Sequence, residues 1–210
     1  MRLVLLSIEF SVLFFALPLL IYYRFIPNLP IPYLLLGALT SFLVLRHDPA
    51  IQLSQLFATR SILPNLPSLL LRDAVCLVFL GLAVRFFAPE LLFSFIKRSP
   101  GFWALVMFLY PLISVFSQEM LYRAFFFHRY QSLFGDGWTM IFASALAFGF
   151  VHIIFGNWLS VLLCVFGGLL FAFTYHSSGS LLLACMEHAI FGNFIFTIGL
   201  GKFFYHGSRL

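Results

Sequence analysis

The chain has 210 residues, 62% of them hydrophobic and only 9% charged, with thirty phenylalanines and a net charge of +5. Soluble globular domains are roughly 45–50% apolar, so this composition excludes an ordinary water-soluble fold. The basic residues Arg24, Arg46, Lys97, Arg98, Arg129 and Lys202 stand singly at expected helix ends, which fits contact with anionic lipid headgroups. It excludes a nucleic-acid interface, which needs a clustered basic face with interleaved aromatics.

A membrane-spanning helix needs about 20 mostly apolar residues. The chain offers about seven such runs, so the expected fold is all-α: a polytopic transmembrane helical bundle forming a single integral membrane domain, residues 1–210. The first run, Leu3–Tyr23, exceeds the roughly 7–15 apolar residues of a signal peptide and lacks a small-x-small cleavage pattern, so it is read as a retained helix. "RFIPNLPIP" turns the chain into a second helix over Tyr33–Leu45, short enough to enter only part way. "RHDPAIQLSQLFATRSILPNLP" is too polar to span and is expected to lie along the interface as an amphipathic helix. The third span, Ser68–Phe87, carries Arg72 and Asp73 near its start.

The fourth span begins near Gly101 and runs past Pro111, a site for a kink, into "SQEMLYRAFFFHRY", Ser117–Tyr130. "FGDG", Phe134–Gly137, reads as a turn. Helix five is expected over Trp138–Phe155 and helix six over Trp158–Tyr175. "HSSGS" turns the chain again, and helix seven covers Leu181–Leu200. Cys76, Cys164 and Cys185 fall inside apolar runs and read as packing residues. Alternate loops carry similar numbers of Lys and Arg, so the positive-inside rule gives no orientation.

Ionisable groups at membrane depth are costly and ask for a functional reading. Glu119 and Arg123 are four residues apart, about 40° around a helix and about 6 Å along it, with the acid first, the favourable order. The pair reads either as a structural ion pair or as a carboxylate oriented by Arg123. His152, at the end of "FGFVH", and His188, in "MEHAIFGN", each read alone as hydrogen-bonded core residues. Two imidazoles and a carboxylate on three different helices are, however, the parts for activating water. In that reading Glu119 takes the proton while the histidines hold the water or support the oxyanion. A proton-conducting chain is the competing use. Glu9, Arg72, Asp73, Arg85, His128, Arg129, His176 and Glu187 are weaker candidates, because they lie near helix ends or lack a same-face partner.

"QEMLYR", "FGFVH" and "HAIFGN", in that order on successive late helices, resemble the CPBP family (CAAX protease and bacteriocin-processing, or Abi) of intramembrane glutamic-type endopeptidases. That family's pattern is EExxxR, FxxxH and a final HxxxN or HxxxD. The resemblance covers the C-terminal half, about Pro111–Leu200, within a core of residues 101–200. Phe148 and His152 fit the second motif, Arg123 the first, and His188 the third. Two departures stand out. Gln118 occupies the place of the first glutamate, leaving Glu119 as the second. The residue four beyond His188 is Gly192, with Asn193 one further; on a regular helix Asn193 lies about 140° away from His188, unless a π-bulge at Gly192 brings it round.

The resemblance implies helices four to seven around a cavity open to one side of the membrane. It implies hydrolysis of a peptide bond in a membrane-associated protein or peptide, for C-terminal processing or anchor release. The implied catalytic set is Glu119 as general base, His152 and His188 as water- or oxyanion-coordinating groups, Arg123 as orienting cation, and Asn193. No cofactor is favoured; a zinc ion held by Glu119, His152 and His188 is the metal-dependent version. The implied setting is a bacterial inner membrane. The alternatives are an immunity or binding relative that lost the chemistry, suggested by Gln118, and a transporter.

Overall fold

The structure is a computed structural model that describes residues 1–204. Among these residues the regular elements are all helical. Seven long helices carry the architecture: α1, Arg2–Tyr22; α2, Pro30–His47; α3, Ile62–Phe87; α4, Pro100–Arg129; α5, Trp138–Phe155; α6, Trp158–Ser178; and α7, Leu181–Thr197. Five of them, α1, α2, α4, α5 and α6, are long and apolar enough to cross a membrane. α7 is apolar but has 17 residues, and α3 carries Arg72, Asp73 and Arg85. Even so, α3 leaves Leu71, Phe79, Phe86 and Phe87 exposed, a surface that water would not tolerate and lipid would. The chain is an integral membrane protein.

Local chemistry explains the helix limits. Asn157 caps α6 by accepting from the Ser160 N–H at 2.9 Å, and Ser180 caps α7 by accepting from the Leu183 N–H at 3.2 Å. Gly156 and Gly179 take positive φ, ending α5 and α6 in the left-handed conformation that glycine adopts without strain. Gly135 and Gly137 do the same in the expected Phe134–Gly137 turn.

Several expectations are corrected. The second helix runs from Pro30 to His47, because Pro30 and Pro32 sit in its first turn, where no donor is lost. The amphipathic interfacial helix does not form. Only one turn, Leu53–Leu56, is helical before α3 starts at Ile62, ahead of Ser68, and continues through Pro67. Helix seven stops at Thr197, not Leu200. Gly199 turns at φ +93°, with its Cα side facing the Leu91 carbonyl so closely that a Cβ would lie 1.9 Å from it.

Helix four is widened twice, at Tyr110–Val115 and at Met120–Phe125, by π-type turns. The first includes Pro111, whose missing N–H removes a regular hydrogen bond. α5 and α6 cross at glycines. A Cβ on Gly149 would meet Val165 Cγ2 at 2.2 Å and the Val165 backbone N at 2.9 Å, and one on Gly168 would meet Ala145 Cα at 3.1 Å. Small residues let the two backbones approach, as membrane helices do when no hydrophobic effect drives them together. Cys164 is a free thiol buried in the main core, as its apolar context implied.

Candidate active site

α4 presents Glu119 and Arg123 one turn apart, and both are wholly buried. Arg123 Nε lies 3.2 Å from Glu119 Oε2, and Arg123 Nη1 donates to Ser144 Oγ at 3.4 Å. Ser144 passes that contact on, donating to the Tyr122 carbonyl at 2.8 Å. The guanidinium also lies over the Phe148 ring, 4.8 Å from its centroid. A cation so placed is the opposite charge that offsets burial of the Glu119 carboxyl group.

The other carboxylate oxygen reaches α7. Glu119 Oε1 is 2.8 Å from His188 Nδ1. A carboxylate only accepts, so Nδ1 carries the proton and Nε2 is the acceptor nitrogen. The imidazole is clamped by Phe171, stacked at 4.4 Å and 15°, and by the edge of Phe148 at 5.4 Å. Nε2 receives the hydroxyl of Tyr110 at 3.0 Å. The result is a continuous chain, Arg123–Glu119–His188–Tyr110, running from the packed interior to a cavity.

That cavity measures about 1160 Å3 and is lined by residues of all seven helices, not of helices four to seven alone. His152, His188, Tyr110 and Gln118 reach it; Glu119 does not. His152 lies at the tightened last turn of α5, where its Nδ1 donates to the Phe148 carbonyl at 2.7 Å. This fixes Nε2 as an acceptor, and it makes no hydrogen bond among the described residues. Phe148 touches both imidazoles, with one histidine at 5.0 Å and the other at 5.4 Å between ring centroids.

The sequence expectations meet this geometry unevenly. Glu119, Arg123 and His188 come together, and His152 joins them across Phe148. The direct contact of Glu119 with water is corrected: one residue is about 100° of helix, so Gln118 turns toward the cavity while Glu119 turns into the protein. Gln118 donates to Ser114 Oγ at 2.6 Å. Asn193 is not brought to His188. α7 is regular throughout, so Asn193 points to α4, donating to the Met107 carbonyl at 3.4 Å. The bulge that would bring Asn193 round is absent from α7, while α4 is widened twice.

The zinc set is not assembled either. Among the described residues no group of three or more His, Cys, Asp and Glu is placed to hold a metal ion. Both Glu119 oxygens and both His188 nitrogens already have protein partners.

Tyr110 was missed. Its only sequence signal is its place next to Pro111, about two turns before the first motif on the same helix, and nothing in its spacing points to His188. Other polar residues pair away from the site. Glu9 takes Arg129 in a two-pronged contact at 2.9 and 2.6 Å and accepts from the Tyr130 hydroxyl. His128 meets Asp48, and His176 meets Asp136, each at 2.8 Å, the helix-end placement expected of them. Asp48 is held below the usual carboxylate range by the Ala50 N–H and then by His128. Arg72 bonds Glu187 and also donates to Thr174 Oγ1 at 2.7 Å, binding α3, α6 and α7 about 100° round α7 from His188.

Residues 100–194 match the family described as type II CAAX prenyl endopeptidase Rce1-like. No curated protein and no solved structure is matched by the chain. The three motifs lie inside the matched stretch, so the resemblance to the CPBP proteases is borne out there.

Proposed function

From the premise that residues 100–194 carry the pattern of a family of CAAX prenyl endopeptidases, we propose that this protein is an intramembrane endopeptidase. It hydrolyses a peptide bond of a membrane-associated protein or peptide that enters the apolar cavity. The observation that carries this reading is the 2.8 Å contact between Glu119 and His188 Nδ1, at the wall of that cavity.

The carboxylate works through the imidazole. Glu119 fixes the His188 tautomer and stabilises the imidazolium that forms when Nε2 takes a proton from water. Arg123 orients Glu119 and faces its Oε2 with the opposite charge. His152, with Nδ1 committed to a backbone carbonyl, offers Nε2 as the acceptor that holds the attacking water. The phenylalanines around both histidines exclude bulk solvent, which strengthens each polar contact. Asn193 has no part in this scheme. The setting we propose is a bacterial inner membrane, with the scattered basic residues at helix ends meeting anionic headgroups.

A second reading is favoured by one observation: of the adjacent pair Gln118 and Glu119, it is the amide and not the carboxylate that faces the cavity. It makes the protein a peptide-binding relative that keeps the fold without the chemistry. Cleavage assays separate the two. The probes are a quenched fluorescent S-prenylated CAAX peptide and the same sequence on a membrane anchor, both in proteoliposomes. Under the hydrolytic reading the parent cleaves at least one of them, and His188→Ala and Glu119→Gln lose that activity by at least about 100-fold. Parent and variants that behave alike would remove the protease assignment.

A further inference from the structure

Tyr110 sits in the first widened turn of α4 with its hydroxyl 3.0 Å from His188 Nε2. Its ring packs edge-on against His188 and against Phe196. The space for that ring exists because residue 192 is glycine. A Cβ built there would stand 2.2 Å from Tyr110 Cε1 and 2.4 Å from the hydroxyl oxygen. The phenol of α4 therefore fills the place that a side chain on α7 would otherwise use, one turn beyond His188. It lines the same cavity as both histidines.

The hydrogen-bond count makes this contact more than packing. In the neutral imidazole whose Nδ1 holds its proton for Glu119, Nε2 accepts and the Tyr110 hydroxyl donates. A phenol has one proton to donate. It serves either Nε2 or another acceptor in the cavity, never both at once, and Nε2 is occupied for as long as the hydroxyl stays there.

We infer that Tyr110 is a catalytic residue: its hydroxyl leaves His188 Nε2 to donate to the carbonyl oxygen of the scissile bond, and this transfer frees Nε2 as the base. The inference rests on the hydrolytic reading above. In the step, water oxygen bonds to the carbonyl carbon and its proton passes to Nε2. The carbonyl π pair moves onto the oxygen, which the Tyr110 hydroxyl stabilises. The adduct then collapses as the C–N bond breaks, and the imidazolium returns the proton to the leaving amine. Substrate arrival and base release are thus one event, which keeps the base capped until a carbonyl is present.

The test compares the parent with Tyr110→Phe, Gly192→Ala and His188→Ala on the two peptides in proteoliposomes. Tyr110→Phe keeps the ring against Gly192 and removes one oxygen. It is expected to lower kcat by about 100- to 1,000-fold, the effect of deleting one oxyanion donor, with KM changed by less than about threefold. Its affinity for a phosphonate peptide mimicking the tetrahedral adduct should fall in parallel with kcat. Affinity for a reduced-amide peptide, which has no carbonyl, should not fall. Gly192→Ala, whose methyl displaces the phenol, should lower kcat in the same way, with its fold checked by thermal unfolding in detergent. Retention of parental kcat by Tyr110→Phe, while His188→Ala is inactive, overturns the role of Tyr110 and leaves the hydrolytic reading standing. A fall in kcat with unchanged phosphonate affinity also overturns it, since that marks a residue that merely seats His188. If the parent cleaves neither peptide, or His188→Ala equals the parent, the hydrolytic reading fails and the role of Tyr110 fails with it.

Discussion

Arg123 and Glu119 face each other one turn apart on α4, with the guanidinium Nε 3.2 Å from Oε2 and neither side chain exposed. Removing one partner strands the other as an uncompensated buried charge, which costs about 3–5 kcal/mol. Arg123→Met should therefore destabilise the protein strongly. The double variant Arg123→Met, Glu119→Gln should recover much of that loss, because no lone charge remains. Unfolding of all three proteins in one detergent reads the difference; additive single losses would show that the pair does not couple.

Gln118 stands where a second carboxylate would face the cavity, and its amide is already tied to Ser114. Gln118→Glu places an acceptor-only group in the cavity that both imidazoles line and should raise cleavage of the S-prenylated peptide by about tenfold or more, the lower range of a general-base contribution. A fall in rate would mean that the imidazoles work alone and that the added charge disrupts them.

The α5–α6 crossing is closest at Gly149. An alanine there would drive its methyl into the Val165 backbone, 2.9 Å from N and 3.0 Å from Cα, and backbone cannot rotate out of the way. Gly149→Ala should cost about 1–3 kcal/mol, typical of overpacking, and should loosen His152 at the end of the same helix. Gly101→Ala is the control, since nothing lies within 4 Å of its added carbon. Equal stability of the two variants would contradict the close approach.

Arg72 neutralises Glu187, which is completely buried, and also meets Asp73 at 3.8 Å. Arg72→Ala removes the cation bonded to Glu187 and next to Asp73, two buried carboxyls. The expected result is a lower unfolding temperature, partly restored by adding Glu187→Gln. No rescue by the second substitution would show that Arg72 acts through its packing against Phe173, over whose ring it lies at 5.6 Å.

The motifs made α4, α5 and α7 legible as the site-bearing helices, because ionisable residues inside apolar runs have few other uses. Spacing also put Arg123 beside Glu119, since a four-residue offset is a local property of any helix. The same reasoning set Asn193 about 140° from His188 on a regular helix, and α7 stayed regular, so the place the family resemblance gave Asn193 is not reached. Spacing was blind to the partners of Glu9 and Glu187, which come from α4 and α3, more than a hundred residues away in sequence. The segment after α2, too polar to span, was expected along the interface, yet its last residues from Ile62 belong to α3, which continues through Pro67.

Sequence alone determined that the chain is a helical membrane protein and which polar groups are out of place in it. Those are properties of composition and period, and lipid leaves the backbone little but the helix. Tertiary packing decided that Glu119 turns inward while Gln118 meets the cavity. It also decided that His188 lends its second nitrogen to Tyr110, and that Gly192 makes room for the phenol. These depend on how far one helix is wound and how closely another approaches, and a run of letters records neither.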